Sequence, residues 1–470
     1  MDNQEICFMP AFELAAAIKS KKLSPVEAVE AVLARIEQLN SKVNAYCTVV
    51  AESARQQARE AERKVMEGGK LGPLHGVPVS LKDLIFTKGI RTTGGSRLYR
   101  NFVPQQDAIV VERLKAAGAI ILGKTNTSEF GWVAVADNQL FGPTRNPWNL
   151  GLTSGGSSGG AAASVALGMG PVAIGGDSGG SIRIPASFCG IFGLKPSFGR
   201  VPQHPGFPEW GTLSHTGPLT RTVEDAALVM EVIAGRDDRD YSSLPEKKLR
   251  YLSHLTGDLK GMKIAGSKNL GYATVDARVL ALTEAAVKTF TALGADVEEA
   301  SPEVSSPEAA FSTVVGVTLT AILQEHYEAR REEIDPGLVR FMERNIGILG
   351  TEYVNACREH STYRERMGSF FEKYDLLLTP TVAVPPFELG KFGVREIAGT
   401  KLSPIGWMAF TFPFNITGQP AASVPCGWTT DGLPVGLQII GRRFDDATVL
   451  KAAAAFEQAA PWTERRPPIA

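Results

Sequence analysis

Gly76-Val77-Pro78-Val79-Ser80-Leu81-Lys82-Asp83 opens a change of pattern in the chain. Residues 77–81 are a short, β-branched apolar run. A helical pattern follows over 108–117, then a second apolar run over 119–122, an alanine-rich helix and a third run over 172–176. Short apolar runs alternating with helices predict an α/β sheet. Further strand candidates at 263–265, 376–378, 421–424 and 435–440 spread that sheet along the chain, which favours one interleaved domain.

N-terminal to this pattern, residues 1–70 read as a helical layer. Ser24-Pro25-Val26-Glu27 is a helix start: Ser24 as N-cap, Pro25 at the first helical position, Glu27 reaching back as the capping-box partner. Residues 51–66 form a second helix, rich in alanine and charged on one face, that stops at Gly68-Gly69. Residues 71–470 are assigned to the α/β core. Within them 305–373 is mainly helical, and its charged run 325–333 (EHYEARREE) reads as a solvated helix face.

The bulk composition excludes several classes of function. The chain has 470 residues, 44% hydrophobic and 21% charged, enough apolar material to bury a sizeable core. Lys+Arg 49 against Asp+Glu 50 gives a net charge of -1, so there is no global field for nucleic acid or an anionic membrane. The five cysteines, Cys7, Cys47, Cys189, Cys357 and Cys426, are dispersed and form no C-x-x-C pair, which argues against a disulfide framework or a zinc site and for reduced thiols in the cytoplasm. The first residues lack the pattern of a secretory signal, and no run of apolar residues is long enough for a membrane span.

The chemistry-bearing residues sit in two glycine-serine clusters. Gly155-Gly156-Ser157-Ser158-Gly159-Gly160 has the composition of a flexible linker. It runs straight into Ala161-Ala162-Ala163-Ser164, however, which places the serines at a helix N-terminus, where free N–H groups favour developing negative charge. Gly176-Asp177-Ser178-Gly179-Gly180-Ser181 follows a strand, and its glycines allow backbone N–H groups to approach a bound atom, as an oxyanion hole requires.

Three motif matches compete for these residues. GDSGG over 176–180 copies the nucleophile signature of trypsin-like proteases, but that family is all-β and no histidine here stands in its context. Residues 156–160 and 176–180 both satisfy G-x-S-x-G, and His204, His215, His254, His326 and His360 lie downstream, so spacing leaves a histidine-based triad open. Residues 118–125, GAIILGKT, match a phosphate loop formally, but a helix precedes Gly118 and the interior of the match is itself a buried strand. Serine has a second activator, a neutral lysine, and Lys82 ends a buried strand where low dielectric disfavours its charged form. Taken alone, a lysine at a strand end reaching solvent is the commoner arrangement.

Together the segments resemble the amidase signature family. Residues 76–83 are similar to its lysine motif, 155–160 to its Gly-Gly-Ser-Ser-Gly-Gly and 177–185 to its Gly-Gly-Ser-Ile-Arg-x-Pro. The similarity continues through Gly123-Lys124-Thr125-Asn126, Gly193-Leu194-Lys195-Pro196, Gly217-Pro218-Leu219 and Gly432-Leu433-Pro434-Val435-Gly436. The resemblance implies a single large α/β domain, a mixed twisted sheet with helices on both faces, and a cofactor-free amide hydrolase without metal. It assigns Ser181 as nucleophile, Ser157 as bridging serine and Lys82 as base. The N–H groups of Ser178, Gly179, Gly180 and Ser181 would form the oxyanion hole, with Ser158, Asp177 and Arg183 in support.

Within that family the A-type component of the tRNA-dependent amidotransferases shares the core. The segment Pro202-Gln203-His204-Pro205-Gly206-Phe207-Pro208-Glu209-Trp210 departs from its usual continuation and favours a free-standing amidase. Allophanate hydrolases carry a further C-terminal domain for which a chain ending at Ala470 is too short. The membrane-anchored fatty acid amide hydrolases carry an N-terminal span that the sequence lacks. Gly131, Trp132 and Trp210 are assigned to the substrate pocket; Trp407, Phe410 and Phe412 are pocket or core. The expected partner is a small amide with a small or aryl acyl group, and a homodimer is the assembly entertained.

Overall fold

The computed structural model describes residues 1–207, 210–245 and 249–470. An 11-stranded sheet runs through it. From edge to edge the strands are Tyr46–Val49, Ile120–Thr125, Pro78–Lys82, Val172–Asp177, His215–Thr220, Phe192–Lys195, Ala421–Trp428, Pro434–Gly441, Leu376–Pro380, Lys263–Gly266 and Asp296–Glu299. Pro78–Lys82 lies parallel between Ile120–Thr125 and Val172–Asp177, and Lys263–Gly266 lies parallel between Leu376–Pro380 and Asp296–Glu299. The central pairings are antiparallel. The sheet is therefore mixed and flanked by helices, as expected.

The parallel strands Pro78–Lys82 and Ile120–Thr125 read as unbroken apolar runs because both of their faces are covered. Pro78–Lys82 and Ile120–Thr125 are buried at every position. The helix Gly159–Ala166 is likewise buried on all sides, which its Gly-Ala-Val composition permits, and it packs against Val172–Asp177 and Pro78–Lys82. Side chains such as Ile121, Leu122 and Ile174 are fully buried, each contributing roughly 1.5–3 kcal/mol. The Ser24 cap forms as read: its Oγ accepts from Val26 N at 2.9 Å while Glu27 Oε2 accepts from Ser24 N at 2.9 Å. The helix Ala51–Glu67 ends on left-handed Gly68.

Four strands of this sheet escaped the sequence pattern, for different reasons. Tyr46–Val49 is four residues wedged between two strong helices, and it pairs antiparallel with Ile120–Thr125, so the first 70 residues contribute an edge strand as well as helices. Phe192–Lys195 is short and carries a glycine, and Asp296–Glu299 is mostly acidic. His215–Thr220 contains Pro218, which argues against a central strand. It is tolerated because on one side the neighbouring ladder reaches only Leu219 and Thr220. The 305–373 region is three helices, Glu308–Arg330, Pro336–Asn345 and Gly350–Lys373. Residues 118–125 hold no phosphate loop: Ile120–Thr125 is a strand, and Lys124 Nζ donates to Ile85 O and Thr87 Oγ1. Among the described residues no helix is long and apolar enough to cross a membrane.

Candidate active site

Parallel pairing of Pro78–Lys82 with Val172–Asp177 brings their carboxyl ends to one edge, the place where open α/β sheets leave a crevice. Lys82 is the last residue of its strand and is 1% exposed. Its Nζ lies 2.6 Å from Ser157 Oγ and 3.3 Å from Gly176 O. Burial in low dielectric pushes the amine down to about 7, against the weaker opposing pull of Asp177. At that value a large share of the amine is neutral near pH 7, so it is able to accept a proton.

Ser157 is placed by the first glycine-serine cluster. Gly156 has no space for a side chain: a Cβ there would lie 2.4 Å from the Val135 carbonyl carbon. The chain thus presses against residues 135–136, where Ala136 N donates to Gly155 O at 3.0 Å, before it enters the helix Gly159–Ala166. Ser158 ties the two clusters together. Its N–H donates to Ser181 O at 3.1 Å and its Oγ donates to Gly176 O at 3.2 Å.

Ser181 lies in the turn between Val172–Asp177 and the helix Arg183–Cys189. The turn is held by a buried ion pair. Arg183 Nε and Nη2 reach the two Asp177 carboxylate oxygens at 2.9 Å each, and both side chains are inaccessible to solvent. Burial would raise the Asp177 carboxyl, but the Arg183 guanidinium outweighs it and holds it well below the usual range. The remaining Arg183 hydrogens go to Thr411 O, Gln438 Oε1 and Asn415 Oδ1, so the charged fork is fully partnered.

Of the four expected oxyanion donors, one is already engaged. Gly180 N–H donates to Asp177 Oδ1 at 2.8 Å, which narrows the set to Ser178, Gly179 and Ser181. Among the described residues those three N–H groups have no protein acceptor. Lys82, Ser157, Ser178 and Ser181 line one cavity of about 110 Å³, with Gly131 and Trp210 also on its wall. A Cβ on Gly131 would lie 3.2 Å from Ser157 Oγ.

Other assignments fall elsewhere. Trp132 is not on the cavity wall; its ring packs on Phe341 and Phe392, at centroid distances of 6.2 and 5.7 Å. Trp407, Phe410 and Phe412 are buried in the apolar core. Residues 202–207 do wall the cavity, while Pro208 and Glu209 of the departing segment lie outside the described residues. A histidine-based triad finds no hydrogen bond to support it: among the described residues no histidine nitrogen is hydrogen-bonded to Ser157, Ser158, Ser178 or Ser181. Ser158 Oγ donates to Gly176 O and Ser178 Oγ pairs with Ser214 Oγ at 3.1 Å. His215 lines the cavity, but burial drives it well below its ordinary pKa, and its Nδ1 is turned to Leu213 O at 2.8 Å.

Sequence reading missed Thr411, Asn415 and Gln438, which grip the turn from the far end of the chain. They sit in apolar stretches with no glycine-serine pattern, so nothing local singled them out.

A mixed α/β sheet that brings two serine loops and a buried lysine to one cavity, with the lysine and not a histidine at hydrogen-bond distance from a serine, is the layout of the amidase class of hydrolases. The family model described as Amidase matches residues 27–450, and the chain belongs to that family: it is an amide hydrolase acting on carbon–nitrogen bonds. An acylamidase of Rhodococcus erythropolis is 39% identical over 99% of this chain and 98% of its own. The A-type component of the glutamyl-tRNA(Gln) amidotransferase of Carboxydothermus hydrogenoformans is also 39% identical, over 99% of this chain and all of its own. Among solved structures, a bacterial aryl acylamidase of the amidase signature enzymes superposes with a TM-score of 0.92 at 36% identity, covering 97% of each chain.

Proposed function

We propose that the protein is a free-standing, cytoplasmic amidase that cleaves small carboxylic amides through an acyl-enzyme on Ser181. The observation that carries this reading is the 2.6 Å contact between Lys82 Nζ and Ser157 Oγ in a cavity that also holds Ser181. Neutral Lys82 takes a proton from Ser157, Ser157 takes one from Ser181, and the Ser181 oxygen attacks the amide carbonyl. The N–H groups of Ser178, Gly179 and Ser181 receive the charge that develops on the carbonyl oxygen. The proton returns along the same path to the leaving nitrogen, which departs only once protonated. Water then repeats the cycle on the ester. Asp177 and Arg183 hold the turn and take no part in proton transfer.

Sequence identity alone does not separate this reading from a component that feeds ammonia to partner chains, since both kinds of relative are 39% identical. Two features favour the free enzyme: the departing segment, whose residues 202–207 and 210 wall the cavity, and the close superposition on the aryl acylamidase. The purified chain, alone, is expected to release ammonia or amine from a panel of acyl amides. A chain inert towards all of them until partner chains are added is the result that favours the second reading.

The Lys82 amine sets a pH dependence. The base is the neutral form, and the group sits at about 7, so kcat/KM is expected to rise with pH and level off above that value. At about pH 5.5 it is expected to be roughly 30-fold below the plateau, as one titrating group requires. A pH–rate profile flat across this range would count against Lys82 as base.

Ser178 supplies the sharpest contrast with Ser181. Its hydroxyl bonds to Ser214 and its contribution to the cavity is a backbone N–H, which alanine retains. Ser178→Ala is therefore expected to keep fluorophosphonate labelling and measurable turnover, and mass-spectrometric mapping is expected to put the label on Ser181. A label on Ser178 in the wild-type chain would overturn the assignment.

A further inference from the structure

We infer that Thr411 is a positioning residue for the oxyanion loop: its hydroxyl clamps the Gly179–Gly180 peptide in the orientation that leaves the neighbouring N–H groups free. The inference rests on the proposed nucleophile and oxyanion donors.

The need for a clamp follows from the chain itself. Gly179 and Gly180 flank one peptide bond, and neither carries a Cβ to restrict its rotation. Gly180 has a φ of +128°, a conformation that an L side chain rarely adopts. A peptide unit with so little steric restraint is free to turn over, and turning it over would exchange the places of its carbonyl oxygen and its N–H. The adjoining Ser178, Gly179 and Ser181 N–H groups hold their directions only if this unit holds its own.

Both ends of the unit are tied, from two distant parts of the chain. The Gly180 N–H donates to Asp177 Oδ1 at 2.8 Å. The Gly179 carbonyl accepts from Thr411 Oγ1 at 2.7 Å. Asp177 is itself immobilised by Arg183 and by Asn415 Nδ2 at 2.9 Å. Thr411 is fully buried, and its backbone carbonyl accepts from Arg183 Nη1 at 2.9 Å, so the threonine that restrains the carbonyl end is fastened to the same ion pair that restrains the N–H end.

The approach is close. A Cβ on Gly180 would lie 2.4 Å from Thr411 Oγ1, so the glycine is what allows the hydroxyl to reach the peptide. The hydroxyl has one alternative acceptor, Met408 O at 3.0 Å, on the turn that carries Thr411. A single proton serves the two acceptors in alternation, and the shorter contact is the one to Gly179. No other side chain donates to the Gly179 carbonyl among the described residues. Thr411 lies off the cavity wall, so it acts through the loop and not on substrate.

The test compares Thr411→Ser, Thr411→Ala and Thr411→Val in the full chain. Serine keeps the donor, valine keeps the shape, and alanine removes the donor with the least strain. The expected result is a kcat near wild type for serine and a kcat roughly tenfold lower for alanine and valine, the order that loss of one hydrogen bond supports. KM and the midpoint of the pH–rate profile are expected to stay where they are, because neither the cavity wall nor Lys82 is touched. A boronic acid that mimics the tetrahedral adduct is expected to bind correspondingly more weakly to the alanine variant than to the serine variant. If valine fails to fold, the alanine and serine pair decides. The inference is overturned if alanine retains wild-type kcat, if serine falls with alanine, or if the loss appears in KM instead of kcat. Failure of the wild-type chain to hydrolyse any amide would instead count against the proposed function, so the two failures are distinguishable.

Discussion

Ser181→Ala is expected to lower turnover of any amide by about 10³-fold or more while the chain stays folded and still binds substrate. The size of the effect follows from what one atom does. Without the Ser181 oxygen there is no acyl-enzyme, and the donors of the turn stabilise an adduct that no longer forms. The substitution itself is mild: Ser181 is 9% exposed, and its backbone carbonyl, not its hydroxyl, ties the turn to Ser158 N at 3.1 Å. Circular dichroism and thermal melting are therefore expected to match wild type. Fluorophosphonate labelling is expected to vanish, and a labelled, active Ser181→Ala enzyme would remove the basis of the mechanism.

Lys82→Met is expected to produce a loss of similar size and, unlike Ser181→Ala, to change the pH dependence of stability. The methionine fills much of the same buried space but offers no lone pair, so Ser157 has nowhere to pass its proton. Removing the amine also removes a desolvated charge. Because the folded amine sits at about 7, below its ordinary 10.5, the unfolded chain binds more protons than the folded one between those values. The lysine's contribution to stability is thus complete above the unfolded value and is lost as pH falls through the folded one. Denaturant unfolding at several pH values is expected to show a stability rising over that window in wild type and a flatter dependence in Lys82→Met. Near wild-type turnover of Lys82→Met at neutral pH would end the account of Lys82 as base.

Much of the fold was legible in local pattern. The buried runs at 77–81, 119–122 and 172–176 became the strands Pro78–Lys82, Ile120–Thr125 and Val172–Asp177, because strands covered on both faces must be continuously apolar. The strands that were missed carry weaker local signals. Tyr46–Val49 is short, Asp296–Glu299 is acidic at a sheet edge, and Pro218 in His215–Thr220 is acceptable only because of where the neighbouring ladder begins. The glycine-serine clusters drew attention to Ser157, Ser158, Ser178 and Ser181 for a sound reason: glycine there is required by close packing, as Gly156 against Val135 shows.

The sequence by itself determined the residue types at the site, their attachment to strand ends and a helix start, and the family to which the chain belongs, since each is carried by a few consecutive residues. Tertiary structure supplied the complete burial of the Lys82 strand between two neighbours, which pushes its amine down to about 7. It alone decided that Gly180 N–H serves Asp177 instead of an oxyanion. It alone placed Trp132 away from the cavity and brought Thr411 and Gln438 to Arg183 across 228 and 255 residues of chain. Dielectric environment and hydrogen-bond competition are properties of everything that surrounds a group, and along this chain most of what surrounds the site is distant in sequence.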